Sequence, residues 1–409
     1  MSVKTKIVKD SSTGDFKSCR KMITGPNVNE HPPYPGCTGF VGWESVSLLK
    51  SGEMLCAFSA GYWHVSFPQP VDIRPDLYEE WSKSGTAFRK NIYAPSGGRA
   101  LLMRSNDFGR TWTQPLTLVN TPGDDRHPVI TELADGTLVC GFFALDNWYG
   151  YDAPPPGRHK NSRVFSIRST DGGNTWSAPL ELPSPFVYYD RMCSDLILLP
   201  NGSLLFPTYG MDKWGEPTEL GLYRSDDGAK SWHFVSRLKS SVKEIDEPAV
   251  CLAEDNTLVM IARPDGEVAF SKDEGVTWTK PESLGIKVVA PNLIKLKNGL
   301  LVCIFGRDAI EVMWSEDNGH TWIVPAANHA FMIDDSVYCY ANGCELPDGS
   351  IYIVYYDPKG TQTRTAIWGV RIKIRDDRCG IDILPVDGEA RIKTECKNPS
   401  KEILDIDAM

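Results

Sequence analysis

The chain lacks the basic excess of a nucleic-acid binder. Among 409 residues, 43 Lys and Arg stand against 53 Asp and Glu, a net charge of −10. That balance repels phosphate backbones and argues against nucleic acid as a partner. No stretch approaches the ~20 apolar residues of a membrane span, so no membrane partner is expected. The opening MSVKTKIVKD has none of the apolar run of a secretory signal, and the expectation is a cytoplasmic chain unless a leader has been trimmed. Cysteine is present, eleven in all, but without a CxxC pair or the Cys/His spacing of a zinc site, so neither metal nor cofactor is expected. Cys56, Cys140, Cys251 and Cys303 lie in apolar runs such as LVCGFF, where a thiol acts as a small buried hydrophobe. Reduced thiols are expected, with Cys379 and Cys396 the one conceivable pair. An apolar content of 41% excludes a disordered chain.

What the sequence does have is repetition. STDGGNTW (169–176) has relatives at SNDFGRTW (105–112), SDDGAKSW (225–232), SKDEGVTW (271–278) and SEDNGHTW (315–322). All follow Ser-x-Asp-x-Gly-x-Thr-Trp, except that Ala229 and Ser231 replace the glycine and threonine of one copy. A repeat of roughly 45–65 residues signals a propeller or solenoid and overrides the division of such a length into several domains. Each copy follows an alternating apolar run, as in ALLMRS, and precedes another. That context predicts a hairpin turn: the aspartate accepts backbone N–H bonds, the glycine takes a positive φ and the tryptophan buries its ring. Asp107, Asp171, Asp227, Asp273 and Asp317 are therefore read as structural. A calcium loop would need more oxygen ligands and flanking helices.

A second repeat runs in step with the first. Six segments share strand, turn and strand: 43–60, 126–143, 191–209, 247–264, 291–308 and 340–357. Each of the first five is followed by one Asp turn. The prediction is an all-β chain, a six-bladed β-propeller of four-stranded blades forming a single domain over 1–409, with repeats at about 40–375 and a C-terminal extension at 376–409. The sixth unit has no Asp turn and continues as TRTAIWGVRIKI, so a strand from within residues 4–24 is expected to complete it. Surplus residues at 61–98, 144–162 and 210–220 are long loops of the kind that carry function.

Five Asp turns on six repeats resemble the sialidase superfamily, the BNR or Asp-box propellers. The resemblance covers about residues 40–375 and is specific for fold more than for reaction. It implies a site on the face opposite the Asp turns, built by strand starts and by the ends of the strands that follow. DEPAV is similar to the family's Glu-Pro segment, which makes Glu247 the base for a tyrosine nucleophile. MIARP and FGRD supply Arg263 and Arg307 as carboxylate-binding arginines. YANGCELPDG supplies Tyr340 as the nucleophile, with Tyr338 close enough to replace it. The family's first arginine has no counterpart: FVGWESVSL places Trp43 and Glu44 there, and Tyr356 stands where the family has a supporting glutamate. The paired loss points to a rebuilt pocket and leaves sialic acid as one candidate sugar among several. For the general acid, the resemblance indicates the loop GYWHVSFPQPVDIRPD, with Asp72, Asp76 and His64 as candidates. Tyr62, Trp63 and Trp148 are candidate stacking groups.

The repeat register adds further residues. DDRHP and YYDRM place Arg126, His127 and Arg191 at strand starts, which with Glu44 and Glu247 should ring one cavity. Several arginines suit an acidic sugar: a sialic acid, a related ulosonic acid or a uronic acid. Arg126 or Arg191 either replaces the missing arginine or pairs with Asp125 and Asp190 between blades, and the two readings stand level. The leading expectation is an exo-glycoside hydrolase removing a terminal acidic sugar, with a glycan as its partner. The alternatives are a glycosidase using Glu44 and Glu247 as a carboxylate pair, a uronate lyase using His127 and a tyrosine, and a glycan-binding propeller without catalysis.

Overall fold

The computed structural model describes residues 2–25, 40–61, 98–121, 123–145, 162–213, 215–306, 308–337, 339–357 and 365–386, with 71–72 and 93–94 as backbone alone. The chain is all-β in a propeller-like arrangement, with one short helix at Phe16–Cys19 among the described residues. Among the described residues no helix is long and apolar enough to cross a membrane.

The repeat units do not separate into six four-stranded sheets. Unit one forms a four-stranded sheet of Phe40–Leu48, Met54–Gly61, Arg99–Ser105 and Leu116–Val119. Unit four forms another, of Asp246–Leu252, Leu258–Arg263, Glu267–Ser271 and Glu282–Ser283. Units two and three share one nine-stranded sheet, joined by a single parallel contact between Ser162 and Tyr189. Unit six has five strands, because Lys21–Thr24 and Ile381–Leu384 both pair with Ile367–Ile374. The N-terminal segment thus joins the sixth unit as expected. It also does something unforeseen: Lys4–Ile7 adds in parallel to Thr321–Val324 of unit five, whose sheet reaches six strands.

The second strands explain the apolar runs. Met54–Gly61, Leu138–Leu145 and Leu204–Met211 are buried at every position, since neighbouring repeat units pack on them. Cys56, Cys140 and Cys303 are buried among them as expected, whereas Cys251 is half-buried. Cys379 is a free thiol, and Cys396 lies outside the described residues.

The Asp turns are closed hydrogen-bond circuits. Asp107 accepts from the Thr111 N–H at 2.9 Å and from the Thr111 hydroxyl at 2.6 Å, while Gly109 N–H donates to Ser105 Oγ at 3.0 Å. Asp171, Asp227 and Asp273 repeat the pattern. Ala229 sits at φ 62° where the other copies have glycine. The turns also fix how units meet. A Cβ on Gly109 would lie 2.2 Å from the Tyr352 ring of unit six, and one on Gly275 would lie 2.0 Å from Leu222 of unit three. Each of these turns thus packs on the preceding unit, and the first packs on the sixth, which closes the arrangement on itself.

Candidate active site

Among the non-glycine residues with positive φ, four stand apart from the turns and the C-terminal segment: Trp43 (φ 51°), His127 (φ 53°), Glu247 (φ 47°) and Ala290 (φ 45°). All lie at the starts of first strands. In units one, two and four the pairing slips there, between Gly42 and Ser45, opposite Gly141–Phe143, and between Asp246 and Ala249. A bulge with an extra residue re-aims a side chain and tolerates proline, which has no N–H to pair. Pro128, Pro248 and Pro291 follow three of the four residues. Left-handed backbone at a bulky residue is costly and is found where surrounding structure enforces it, often at functional sites.

These bulges point Trp43, His127 and Glu247 into one cavity of about 250 Å³. Arg126, Tyr189, Arg191, Asp246 and Tyr340 join them from strand starts and nearby, and Phe143, Tyr209 and Arg263 from the ends of second strands. Phe143, Tyr209 and Arg263 hold the same position in their repeats, seven residues after the turn glycine or asparagine in ADGTLVCGFF and its relatives.

Tyr340 donates its hydroxyl to Glu247 Oε1 in a short hydrogen bond. Ala290 N–H donates to Glu247 Oε2 at 3.1 Å. Arg263 Nη1 lies 3.3 Å from Glu247 Oε1 and 3.2 Å from Asp246 Oδ2, so one guanidinium serves two carboxyl groups. Burial, reinforced by the Glu247 charge, pushes the Asp246 carboxyl up to about 7 against the pull of Arg263.

His127 lies flat against Tyr340, with ring centroids 5.3 Å apart and planes within 7°. Burial, with the Arg126 charge beside it, lowers its pKa to about 3, which leaves the imidazole neutral at ordinary pH. Arg126 pairs with Asp124, its Nε at 2.9 Å, and stacks over the Trp43 ring at 4.4 Å. Such a cation–π contact contributes about 0.5–2 kcal/mol. Arg191 donates to Ser162 Oγ at 3.2 Å and stacks over Tyr189 at 4.3 Å. Asp125 accepts from the Thr121 N–H and hydroxyl, and Asp190 from the Tyr223 hydroxyl.

Glu44 is a correction. It is 3% exposed and does not line the cavity. The bulge turns Trp43 toward the cavity and Glu44 into the core near Cys56 and Cys339, where burial raises its carboxyl well above the usual range. Neither Glu44 oxygen has a hydrogen-bond partner among the described residues. A carboxylate pair of Glu44 with Glu247 is therefore not assembled. Tyr356 packs against Trp43 and Tyr340, with ring centroids 6.1 and 6.4 Å away. Arg307, His64, Asp76, Tyr338, Tyr62, Trp63 and Trp148 lie outside the described residues. Asp72 is described only as backbone of the short strand Val71–Asp72. Among the described residues no cluster of three or more His, Cys, Asp or Glu could hold a metal ion.

Sequence reasoning passed over Asp246, Tyr209 and Phe143. The signal for Asp246 was its place beside Glu247 in a Glu-Pro bulge; the signal for Tyr209 and Phe143 was the register they share with Arg263.

Comparison with known proteins gives a consistent setting. Residues 127–353 match the family model described as a BNR repeat-like domain. A sialidase of Bacteroides fragilis is 28% identical over 274 residues, 57% of this chain and 49% of that protein, so the chain spans about half the length of this curated relative. A protein of unknown function from Dyadobacter fermentans superposes with a TM-score of 0.63 at 20% identity, covering 86% of this chain and 97% of that one. The NanB sialidase of Streptococcus pneumoniae gives 0.59 at 14% identity, covering 85% and 70%. At such identities the likeness to these structures is one of fold.

Proposed function

The chain belongs to the BNR repeat-like family of the sialidase superfamily, and from that premise we propose that it is an exo-acting glycoside hydrolase that removes a terminal acidic sugar from a glycan. The observation that carries this reading is the hydrogen bond from the Tyr340 hydroxyl to Glu247, with Arg263 beside the same carboxylate in one cavity. A phenol is a weak nucleophile, and a carboxylate that takes its proton as the oxygen attacks supplies the missing reactivity. A nucleophile that approaches uncharged suits an anomeric carbon bearing a carboxylate, which would repel an anion. Arg263 and Arg307 receive the substrate carboxylate through their planar donor forks, and Arg126 or Arg191 takes the place of the family's first arginine. Trp43, at the position of that arginine, offers an apolar wall. In the same reading the nine-stranded sheet is two blades joined at Ser162 and Tyr189, which makes a single six-bladed domain of the repeats.

The stacking of neutral His127 on Tyr340 favours one second reading, proton abstraction from a uronate followed by elimination. A panel of fluorogenic sialosides, other ulosonosides, glucuronides and rhamnosides tests both. Release of an acidic sugar without a new ultraviolet chromophore supports the hydrolase. A product absorbing through a new double bond supports the lyase, and binding without turnover supports a glycan-binding module.

A further inference from the structure

The proposed hydrolase needs a group that gives a proton to the departing oxygen, and that requirement leads to the carboxyl beside Glu247. We propose that Asp246 is the proton donor to the leaving group, and this rests on the glycosidase reading above.

The argument begins with unequal solvation of two neighbouring carboxyls. Glu247 accepts from the Tyr340 hydroxyl, the Ala290 N–H and Arg263, the donor set of a charged carboxylate. Asp246 meets the same guanidinium nitrogen, Arg263 Nη1, at 3.2 Å. One fixed positive charge between two carboxyls in a dry pocket favours retention of one proton by the pair. The carboxyl with fewer donors keeps it. The surroundings agree: Glu247 and Glu244 face Asp246 from its own segment, Arg263 and Arg191 oppose them, and Tyr189, Tyr209 and the Cys193 thiol complete the titratable groups around it. Their balance, with burial the largest part, holds the carboxyl near 7, which suits a donor at neutral pH. The side chain is 19% exposed, and Asp246 lines the cavity, so a bound glycoside can reach it.

The step balances. The Tyr340 oxygen bonds to the anomeric carbon as the glycosidic C–O bond breaks. The phenol proton passes to Glu247, and the Asp246 proton goes to the leaving oxygen, which departs as an alcohol. Water then gives its hydroxyl to the anomeric carbon and its proton to Asp246, while Tyr340 departs and recovers its proton from Glu247.

The test is Asp246→Asn, which keeps the shape of the protonated acid. Against a glycoside with an alkyl or sugar leaving group, kcat/KM should fall about 10²–10⁴-fold. Against a 4-nitrophenyl glycoside, whose leaving group needs no proton, the loss should be under about tenfold, with the basic limb of the pH profile gone. Equal losses on both substrates, or none on either, overturn the donor role. So does the same leaving-group pattern in Asp72→Asn or Asp76→Asn with Asp246→Asn unaffected. Carboxyl carbon-13 NMR of the substrate-free protein adds a readout independent of turnover. The signal absent from Asp246→Asn should titrate near neutrality, and titration in the ordinary carboxylate range overturns the proposal. A wild-type protein that cleaves neither substrate sinks the glycosidase reading and the donor role with it. An active wild type with an indifferent Asp246→Asn sinks the donor role alone.

Discussion

Two sets of acidic residues lie in this molecule under opposite conditions. In the hairpin turns, Asp171 and Asp273 stand in solvent, and their own loops donate to them from threonine N–H and hydroxyl groups. Those bonds hold both carboxyls below the usual range. In the cavity, Asp246 is surrounded by protein, shares one arginine with a second carboxyl, and is pushed up to about 7. Aspartate whose donors are supplied by adjacent residues is fixed in one charge state and serves the fold. Aspartate brought beside another acid by the tertiary structure has a proton to exchange.

The sharpest way to break this contrast is at the cavity. Tyr340→Phe and Glu247→Gln should each lower kcat about 10³-fold or more on every substrate the protein cleaves, while the melting temperature of Tyr340→Phe shifts by only a few degrees. Retained turnover in Tyr340→Phe would show that the phenol is not the nucleophile. Arg263→Lys keeps the charge and loses the fork. It should lower kcat/KM for an acidic sugar about 10²-fold and, measured side by side, cost a neutral sugar less.

Smaller effects are expected in the turns. Asp273→Ala should leave kcat and KM within about twofold and lower the melting temperature by a few degrees. Because the folded carboxyl is depressed, its stabilisation is present above the ordinary carboxylate range, about 4, and is lost as pH falls through the folded value. Melting curves of wild type and variant should converge on acidification. Asp125 gives the opposite sign in a buried setting. Burial raises it to about 7 despite its bonds from Thr121, so its contribution is present below about pH 4 and lost as pH rises toward 7. Asp125→Asn should flatten that part of the stability profile, measurable by calorimetry across pH 4–8.

The turns could be read directly from sequence because everything that makes them lies within eight residues, and five copies excluded coincidence. The cavity was legible in part. Glu247, Arg263, Tyr340, Arg126, His127 and Arg191 converge on it as the register required. Glu44 did not, and Asp246 went unnoticed, for one shared reason. Alternation along a strand tells which side a residue faces only while the pairing stays regular. Bulges at Trp43, His127 and Glu247 add a residue and reverse the count, which sends Glu44 inward and lets two consecutive residues, Asp246 and Glu247, reach the same space. The merging of units two and three was hidden for a different reason: it depends on the single Ser162–Tyr189 contact, which has no period to detect.

The two N-terminal strands have a consequence for how the molecule is made. Lys4–Ile7 and Lys21–Thr24 leave the ribosome roughly three hundred residues before Thr321–Val324 and Ile367–Ile374, the strands they pair with. Closing so long a loop delays folding, and until then the waiting segment is a sticky β-strand in search of an edge. Because this seam closes late, two nascent copies translated side by side would be prone to exchange their first strands.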